Sequence, residues 1–459
     1  MLGVLEKKSD MSKAEQKLDA VVIGLGKTGL SCIRFLKQQG LHVAVTDTRT
    51  QPPCLADLHK HFPDVSFYPG EVEDKLCRRA AQIIVSPGVS LQQPALQAVI
   101  AAGKPVHGDI ELFCQHARAP VVAITGSNGK STVTTLVAKM ASAAGMQVLS
   151  GGNLGTPALE LLEQPVPQFY VLELSSFQLD STFSLNAYAS VVLNVCSDHM
   201  DRYSDIEQYA QSKQKIYGGD GYMIINSDDA RVRAMLEPSR KALTFSVQPE
   251  QKADFSMRKI NDENWLCLAD EKLITVAELG IKGKHNISNA LAAMALGSVM
   301  NIPNSTMHYV LTSFHGLPHR CQFVASINEV DWINDSKATN VGASIAAIEG
   351  LARPGRIILI AGGDSKGADL QPLLPVLTEH VKQMVLIGAD ADLFAELVTD
   401  QVPCSRATDM TEAVAIAQQL AQAGDVVLLA PACASLDMFD NYQQRGDVFV
   451  EAVTGMEKH

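Results

Sequence analysis

The stretch Ala119 to Thr135, APVVAITGSNGKSTVTT, decides how the chain is read. Val121, Val122 and Ile124 form a short β-branched run with the character of a buried strand. The run stops at Thr125-Gly126-Ser127-Asn128-Gly129, and Lys130, Ser131 and Thr132 open a helical pattern that continues through Leu136, Val137 and Met140. A strand, a glycine-bearing loop and a helix start make a phosphate cradle. Loop N–H groups and the positive end of the helix dipole face the anion. The lysine can reach terminal phosphates, and the Ser131 hydroxyl can ligate Mg²⁺. The general pattern places a glycine where Ile124 stands, so this loop is a shortened GxxGKS form.

Around this stretch lie 459 residues, enough for about three domains of ~150 residues. A hydrophobic content of 46% allows sizeable cores, and a net charge of -12 argues against a surface built for nucleic-acid backbones. Nine scattered cysteines without a CxxC pair read as reduced thiols, so a cytoplasmic compartment is expected. No apolar run reaches the ~18 residues of a membrane span. The first 17 residues are too polar for a signal peptide and read as a loose extension.

Upstream, Leu18–Ile23 reads as a strand entering Gly24-Leu25-Gly26-Lys27-Thr28-Gly29, a full GxGxxG. A helix over Leu30 to Gln39 and a strand from His42 to Thr46 follow, and the strand ends at Asp47. In a dinucleotide-binding unit that acid would hold ribose hydroxyls of NAD. The fingerprint itself reports only a backbone brought close to a ligand, so any nucleotide diphosphate fits, and so does a set of packing glycines. Gln82 to Gly88 is a further strand ending in a turn at Ser86 and Gly88, where a nucleotide-sugar could lie across the strand ends.

Downstream, Val148–Ser150 leads into Gly151-Gly152-Asn153-Leu154-Gly155. Phe169 to Phe177 is an apolar strand with Glu173 near its end, and Ala189 to Val195 is another, ending at Ser197-Asp198-His199. Ligands of open α/β sheets gather at such strand ends. Ser131, Glu173 and His199 therefore offer oxygen and nitrogen ligands suited to Mg²⁺. In the next helix Lys213 falls on the apolar stripe of Ile206, Tyr209, Ala210, Ile216 and Tyr217. It reads as a snorkelling lysine, or as a buried amine able to form a carbamate with CO₂. Asn286 and Asn289 precede an alanine-rich helix, Ala290 to Met300, and read equally as contacts to an adenine or a phosphate edge or as helix caps. The last third alternates strands and helices again, implying a second mostly parallel sheet. Its polar loops are Asn334 to Asn340, the turn Gly362 to Gly367 with Lys366, and Pro431 to Ser435 before a helix expected near Leu436. A carboxylate pocket, or simply a cap and a solvated lysine, would account for these loops.

Taken together, TGSNGKST, ELSSFQL, NVCSDHMDRY, GKHNISNALAA, LPHR, INDSKATN, GGDSKG and APACASLDMF occur in one order over nearly the whole chain. In this the sequence resembles the ATP-dependent Mur ligases of peptidoglycan synthesis. The resemblance implies three α/β domains: a Rossmann-like UDP-binding sheet over 18–110, a central P-loop ATPase over 111–316 and a Rossmann-like amino-acid-binding sheet over 317–459. It also implies joining of D-glutamate to UDP-N-acetylmuramoyl-L-alanine through an acyl phosphate, by a monomer.

By the same resemblance Gly26, Lys27, Thr28, Asp47, Thr48, Arg49, Ser86, Gly88 and Asn153 hold the UDP substrate. Gly126 to Thr132, Asn289, Arg320 and Asp335 hold ATP. Ser131, Glu173, His199 and Lys213, as its carbamate, hold Mg²⁺, with two ions expected. Lys366, Thr339, Ser435, Leu436 and Tyr442 hold D-glutamate, and Lys130, His199 and Lys213 act catalytically. The GxGxxG domain argues against the folate ligases of the same superfamily. A nicotinamide oxidoreductase accounts for residues 18–50 and nothing after 119. A nucleotide-binding protein without ligase activity would bind ATP and turn nothing over.

Overall fold

The computed structural model describes residues 17–281, 283–351 and 354–456; the expected N-terminal extension lies outside them but for Lys17. The chain divides into two compact units, one of residues up to Thr125, Met146–Ser190 and Gln211–Tyr222, the other of Gly126–Gly145, Val191–Ala210 and the residues from Met223 on. The helices that position the sites are α1 (Lys27–Gln38), α2 (Asp109–His116), α3 (Lys130–Ala143), α4 (Ser176–Asp180), α5 (Ile206–Gln214), α6 (Lys284–Val299), α7 (Val341–Leu351) and α8 (Tyr442–Met456).

The first unit opens with a five-stranded sheet of β1 (Leu18–Ile23), β2 (Val43–Asp47), β3 (Ser66–Pro69), β4 (Ala80–Val85) and β5 (Val106–Gly108), in the order β3-β2-β1-β4-β5. Its pairings are all parallel. Parallel strands covered on both faces need apolar side chains on both, which is why LDAVVI is buried at all but one position. Helix α1 begins at Lys27, three residues before the expected start, because the glycine loop turns straight into it. Gly29 makes that turn possible: a Cβ there would lie 1.9 Å from the carbonyl oxygen of Gly24. The same unit holds β6 (Val121–Thr125), β7 (Val148–Gly152) and β8 (Phe169–Glu173), parallel in the order β6-β8-β7.

Strand β9 (Ala189–Val192) is shorter than expected and stops before Leu193. From there side chains replace strand partners: Asn226 donates to the Leu193 carbonyl and the Asp229 carboxylate accepts from Val195 N–H. In the second unit β10 (Tyr222–Asn226), β11 (Ala242–Ser246) and β12 (Phe255–Ile260) pair in parallel. The hairpins of β13 (Glu263–Leu268) and β14 (Glu271–Thr275) extend them antiparallel.

The remaining strands are β15 (Gln322–Ile327), β16 (Val330–Asn334), β17 (Ile357–Gly362), β18 (Val381–Ile387), β19 (Cys404–Arg406) and β20 (Val426–Leu429). They form a six-stranded sheet ordered β15-β16-β20-β17-β18-β19, antiparallel only at β15–β16. Apolar cores lie on both of its faces, around Leu359 and Phe394 on one and Trp332 and Phe449 on the other. The α/β class and the parallel sheets agree with the sequence reading. The helix expected near Leu436 is absent: the chain makes one turn, closed by Phe439 N–H on the Ser435 carbonyl, and α8 starts at Tyr442. The Asp437 carboxylate, which could have supported a helix start, instead accepts from Ala389 N–H. Among the described residues no helix is long and apolar enough to cross a membrane.

Candidate functional site

In the first unit a cavity of about 430 Å³ opens over the GxGxxG loop, lined by Lys27, Thr28, Asp47, Arg49, Ser86 and Gly88, and reaches Asn153 and Gln178. Gly26 and Thr48 also line it. The free N–H groups at the start of α1 suit an anion. Asp47 is tied to the protein: its carboxylate accepts Leu25 N–H at 2.7 Å and the Arg49 guanidinium at 2.8 and 2.7 Å. Burial pushes its carboxyl up, but Arg49 and the Leu25 N–H outweigh burial and hold it at about 2. Arg49, with its side chain 55% exposed, is left to meet a ligand.

At the far end Asn153 Nδ2 donates to Glu173 Oε1 at 2.7 Å. Glu173 is 2% exposed, and its Oε2 has no hydrogen-bond partner. A buried carboxylate oxygen left so is costly unless a cation or donor meets it, so Glu173 fits a metal ligand. Gln178 sits in a capping box at the start of α4 and donates to Asp109 Oδ2 at 2.9 Å. Lys213 is 1% exposed, as its place on the apolar stripe requires, whereas Lys215 reaches out to Asp180.

In the second unit the phosphate loop is clamped by its neighbours. Asn194 accepts Asn128 N–H at 2.8 Å and donates to the Asn128 carbonyl at 3.2 Å. Ser127 Oγ accepts Cys196 N–H at 3.0 Å. Lys130 Nζ donates to the carbonyls of Gly126 and Ser127. Gly129 caps α3 in a left-handed conformation, and a Cβ there would lie 2.3 Å from Asn289 Oδ1. The Ser131 hydroxyl accepts from Arg320 Nη2 at 2.6 Å.

A cavity of about 520 Å³ beside the loop is lined by Gly129, Thr132, Asn289, Arg320, Asp335 and Lys337, with Ile281 and Leu317 as apolar wall. Burial pushes the Asp335 carboxyl up to about 6, against the opposing pull of Cys321, Arg320 and Lys337. Helix α6 begins at Lys284, so Asn286 and Asn289 lie inside its first turns rather than before it; Asn289 Nδ2 donates to Asn286 Oδ1. His285, which stands inside the quoted GKHNISNALAA without a role there, also lines this cavity, and burial lowers its pKa.

The polar loops of the last sheet meet as well. Asp364 and Ala434 form an isolated antiparallel bridge that joins the turn carrying Lys366 to the loop carrying Ser435. Ser435 is buried, and Leu436 is 73% exposed. Lys337 Nζ lies 4.2 Å over the Tyr442 ring, and Thr339 N–H closes a tight turn on the Lys337 carbonyl. Arg445, 1% exposed, donates to Ser336 O and Oγ and to the carbonyls of Cys433 and Ala434. Burial lowers its pKa to about 10.

Asp198, which meets Lys366, Asn340, which donates to Asp198, and Arg445 join these loops, and the sequence alone assigns none of them a role. The first two stand inside stretches already quoted, NVCSDHMDRY and INDSKATN. His199, His319, Cys321, Lys366 and Ala432 all take left-handed backbone conformations. Non-glycine residues held there cluster at functional sites. Among the described residues no three His, Cys, Asp or Glu side chains gather as a metal-binding group.

Three domain models match in order: the N-terminal domain of MurD-like Mur ligases over residues 18–108, the Mur ligase middle domain over 124–297 and the Mur ligase glutamate ligase domain over 319–433. The UDP-N-acetylmuramoylalanine–D-glutamate ligase of Nitrosococcus oceani is 50% identical over 434 residues, covering 95% of this chain and 96% of the relative. This chain belongs to the Mur ligase family. A further relative, from Pseudomonas fluorescens, carries the same description at 50% identity over 436 residues, 94% of this Mur ligase and 97% of the relative.

Solved structures agree at the level of fold. The pseudomurein peptide ligase type C of Methanothermus fervidus superposes with a TM-score of 0.61 at 18% identity, covering 95% of this Mur ligase and all of the other chain (100%). The UDP-N-acetylmuramate–alanine ligase of Thermotoga maritima gives 0.60 at 15% identity, covering 96% and 100%. As a Mur ligase the chain is an ATP-dependent ligase acting on small molecules.

Proposed function

We propose that this Mur ligase joins D-glutamate to UDP-N-acetylmuramoyl-L-alanine at the expense of ATP, in the cytoplasm. The observation that carries the reading is the match, along 95% of the chain at 50% identity, to a relative so described. The two cavities support it, one over a glycine loop suited to a nucleotide diphosphate and one beside a phosphate loop. Nine cysteines, none in a disulfide among the described residues, suit a reducing compartment. The family matches leave gaps at 108–124 and 297–319, which supports domain boundaries near 110 and 316.

In this reading Gly26, Lys27, Thr28, Asp47, Thr48, Arg49, Ser86 and Gly88 take the UDP moiety, with Asn153 toward the peptide end. ATP phosphates lie on residues 126–132, and Asn289, Arg320 and Asp335 line the nucleotide. The proposed Mg²⁺ ligands are Glu173 and carbamylated Lys213 in the first unit and Ser131 and His199 in the second. When bound, Mg²⁺ neutralises charge on the phosphates.

The carboxylate of the L-alanyl group attacks the γ-phosphorus and ADP leaves. Lys130 and the loop N–H groups stabilise charge on the transferred phosphoryl. The amine of D-glutamate attacks the resulting acyl phosphate, and the tetrahedral intermediate expels phosphate and loses a proton to give the amide. Lys366, Thr339, Ser435, Leu436 and Tyr442 position D-glutamate.

Phosphate release from ATP should require both UDP-N-acetylmuramoyl-L-alanine and D-glutamate. L-glutamate, D-alanine, L-lysine and meso-diaminopimelate serve as parallel acceptors. Turnover with one of those in place of D-glutamate would overturn the acceptor assignment, and none with any would overturn the ligase.

A further inference from the structure

Asn340 is 6% exposed, and every hydrogen-bonding position of its amide is used. Oδ1 accepts Ala343 N–H at 2.9 Å, which caps α7, and Asn128 Nδ2 at 3.4 Å. Nδ2 donates to Asn128 Oδ1 at 3.3 Å and to Asp198 Oδ2 at 3.1 Å. An amide has two donors and two acceptor sites, so four partners exhaust it. Capping alone needs only an oxygen, and Ser, Thr or Asp would serve. The amide nitrogen is therefore surplus to the cap, and both of its bonds go to the site.

Its two partners lead in opposite directions. Asn128 belongs to the phosphate loop and is held on both sides of its peptide by Asn194. The Asp198 carboxylate accepts His199 N–H at 2.9 Å and Lys366 Nζ at 3.3 Å. A continuous path of side chains thus runs from the loop through Asn340 and Asp198 to Lys366.

We infer that Asn340 is a positioning residue that couples the phosphate loop to Lys366, so that nucleotide and amino acid are bound interdependently. The inference rests on the reading of Lys366 as the amino-acid contact. Coupling of this kind is reciprocal: whatever nucleotide does for the amino acid, the amino acid does for nucleotide.

Asn340→Asp keeps an oxygen for the cap, removes both donors and sets a second carboxylate against Asp198. Asn340→Ser keeps the cap without the charge and serves if the first variant folds poorly. Both should raise KM for D-glutamate and for ATP together, on the order of tenfold each for lost buried hydrogen bonds. Asn128→Ala should raise the same pair of constants, and Asn128→Ala with Asn340→Ser should do no more than the worse single change. A purely structural cap would move neither KM in Asn340→Ser. Wild-type KM values in both Asn340 variants, or additive effects in the double variant, would overturn the coupling. If the wild-type chain turns over with a different amino acid, the acceptor reading falls, and the same cycle run with that amino acid still decides the coupling.

Discussion

Lys366 Nζ lies 3.3 Å from Asp198 Oδ1, and the two side chains are 20% and 10% exposed. Burial pushes the Asp198 carboxyl up, but His199, Lys366 and Asn340 outweigh it and hold the group below the usual range. Removing one partner of a mostly buried pair strands the other charge. Asp198→Ala should therefore cost about 3 kcal/mol of stability, read from the urea midpoint at unchanged slope, and raise KM for D-glutamate. An unchanged midpoint would mean that the pair is solvated and makes no net contribution.

Gly129→Ala combines two penalties, a left-handed φ of 84° and a Cβ 2.3 Å from Asn289 Oδ1. Displacing the loop or Asn289 by a fraction of an ångström should cut turnover on the order of 100-fold. Gly145→Ala is the control: its φ is 82° with nothing within 4 Å, so only backbone strain of about 1 kcal/mol applies and kcat should stay unchanged. Equal kinetics in the two variants would remove Asn289 from the argument.

Glu173→Gln leaves an acceptor for Asn153 and replaces the partnerless carboxylate oxygen with a neutral amide. The Mg²⁺ concentration giving half-maximal phosphate release should rise at least about tenfold, or ~1.4 kcal/mol in binding. A wild-type Mg²⁺ profile would take Glu173 out of the metal assignment.

Asp109 is buried, and burial raises its carboxyl from 3.8 to about 6, more than the bond from Gln178 lowers it. A carboxyl raised on folding costs nothing below about pH 4, where both states hold the proton. It destabilises the fold increasingly as pH climbs through 6, by about 3 kcal/mol in all. Asp109→Asn should thus match the parent near pH 4 and exceed it at pH 7, tracked by denaturant midpoints across that range. Parallel pH curves would show that Asp109 stays charged in the fold.

The parts legible in the sequence are those that glycine geometry and hydrophobic runs write locally. The phosphate loop and the GxGxxG turn stand where their residues put them, and the burial of Lys213 follows from its stripe; the strand expected over Phe169 to Phe177 ends at Glu173, because Ser175 caps α4 and turns Ser176 and Phe177 into that helix. The α6 start carries no local signal, because Gly283 leaves it without a side-chain cap to announce it. The expected helix at Leu436 failed for the opposite reason: Ser435 resembles a cap, but Asp437 is engaged elsewhere. What no local pattern carries is pairing at long range. Asn340 meets Asp198 across 142 residues, and Arg445 meets Ser336 across 109.

The buried guanidinium of Arg445 has a bearing on the order in which the chain is made. The two loops it fastens, at Ser336 and at Cys433–Ala434, are synthesised before α8, and nothing fastens them together in this way until that helix exists. A nascent chain that has reached only Asn441 holds both loops but not the guanidinium that ties them. The tie between these two loops is accordingly among the last contacts the growing polypeptide can make, since Arg445 is added only with α8.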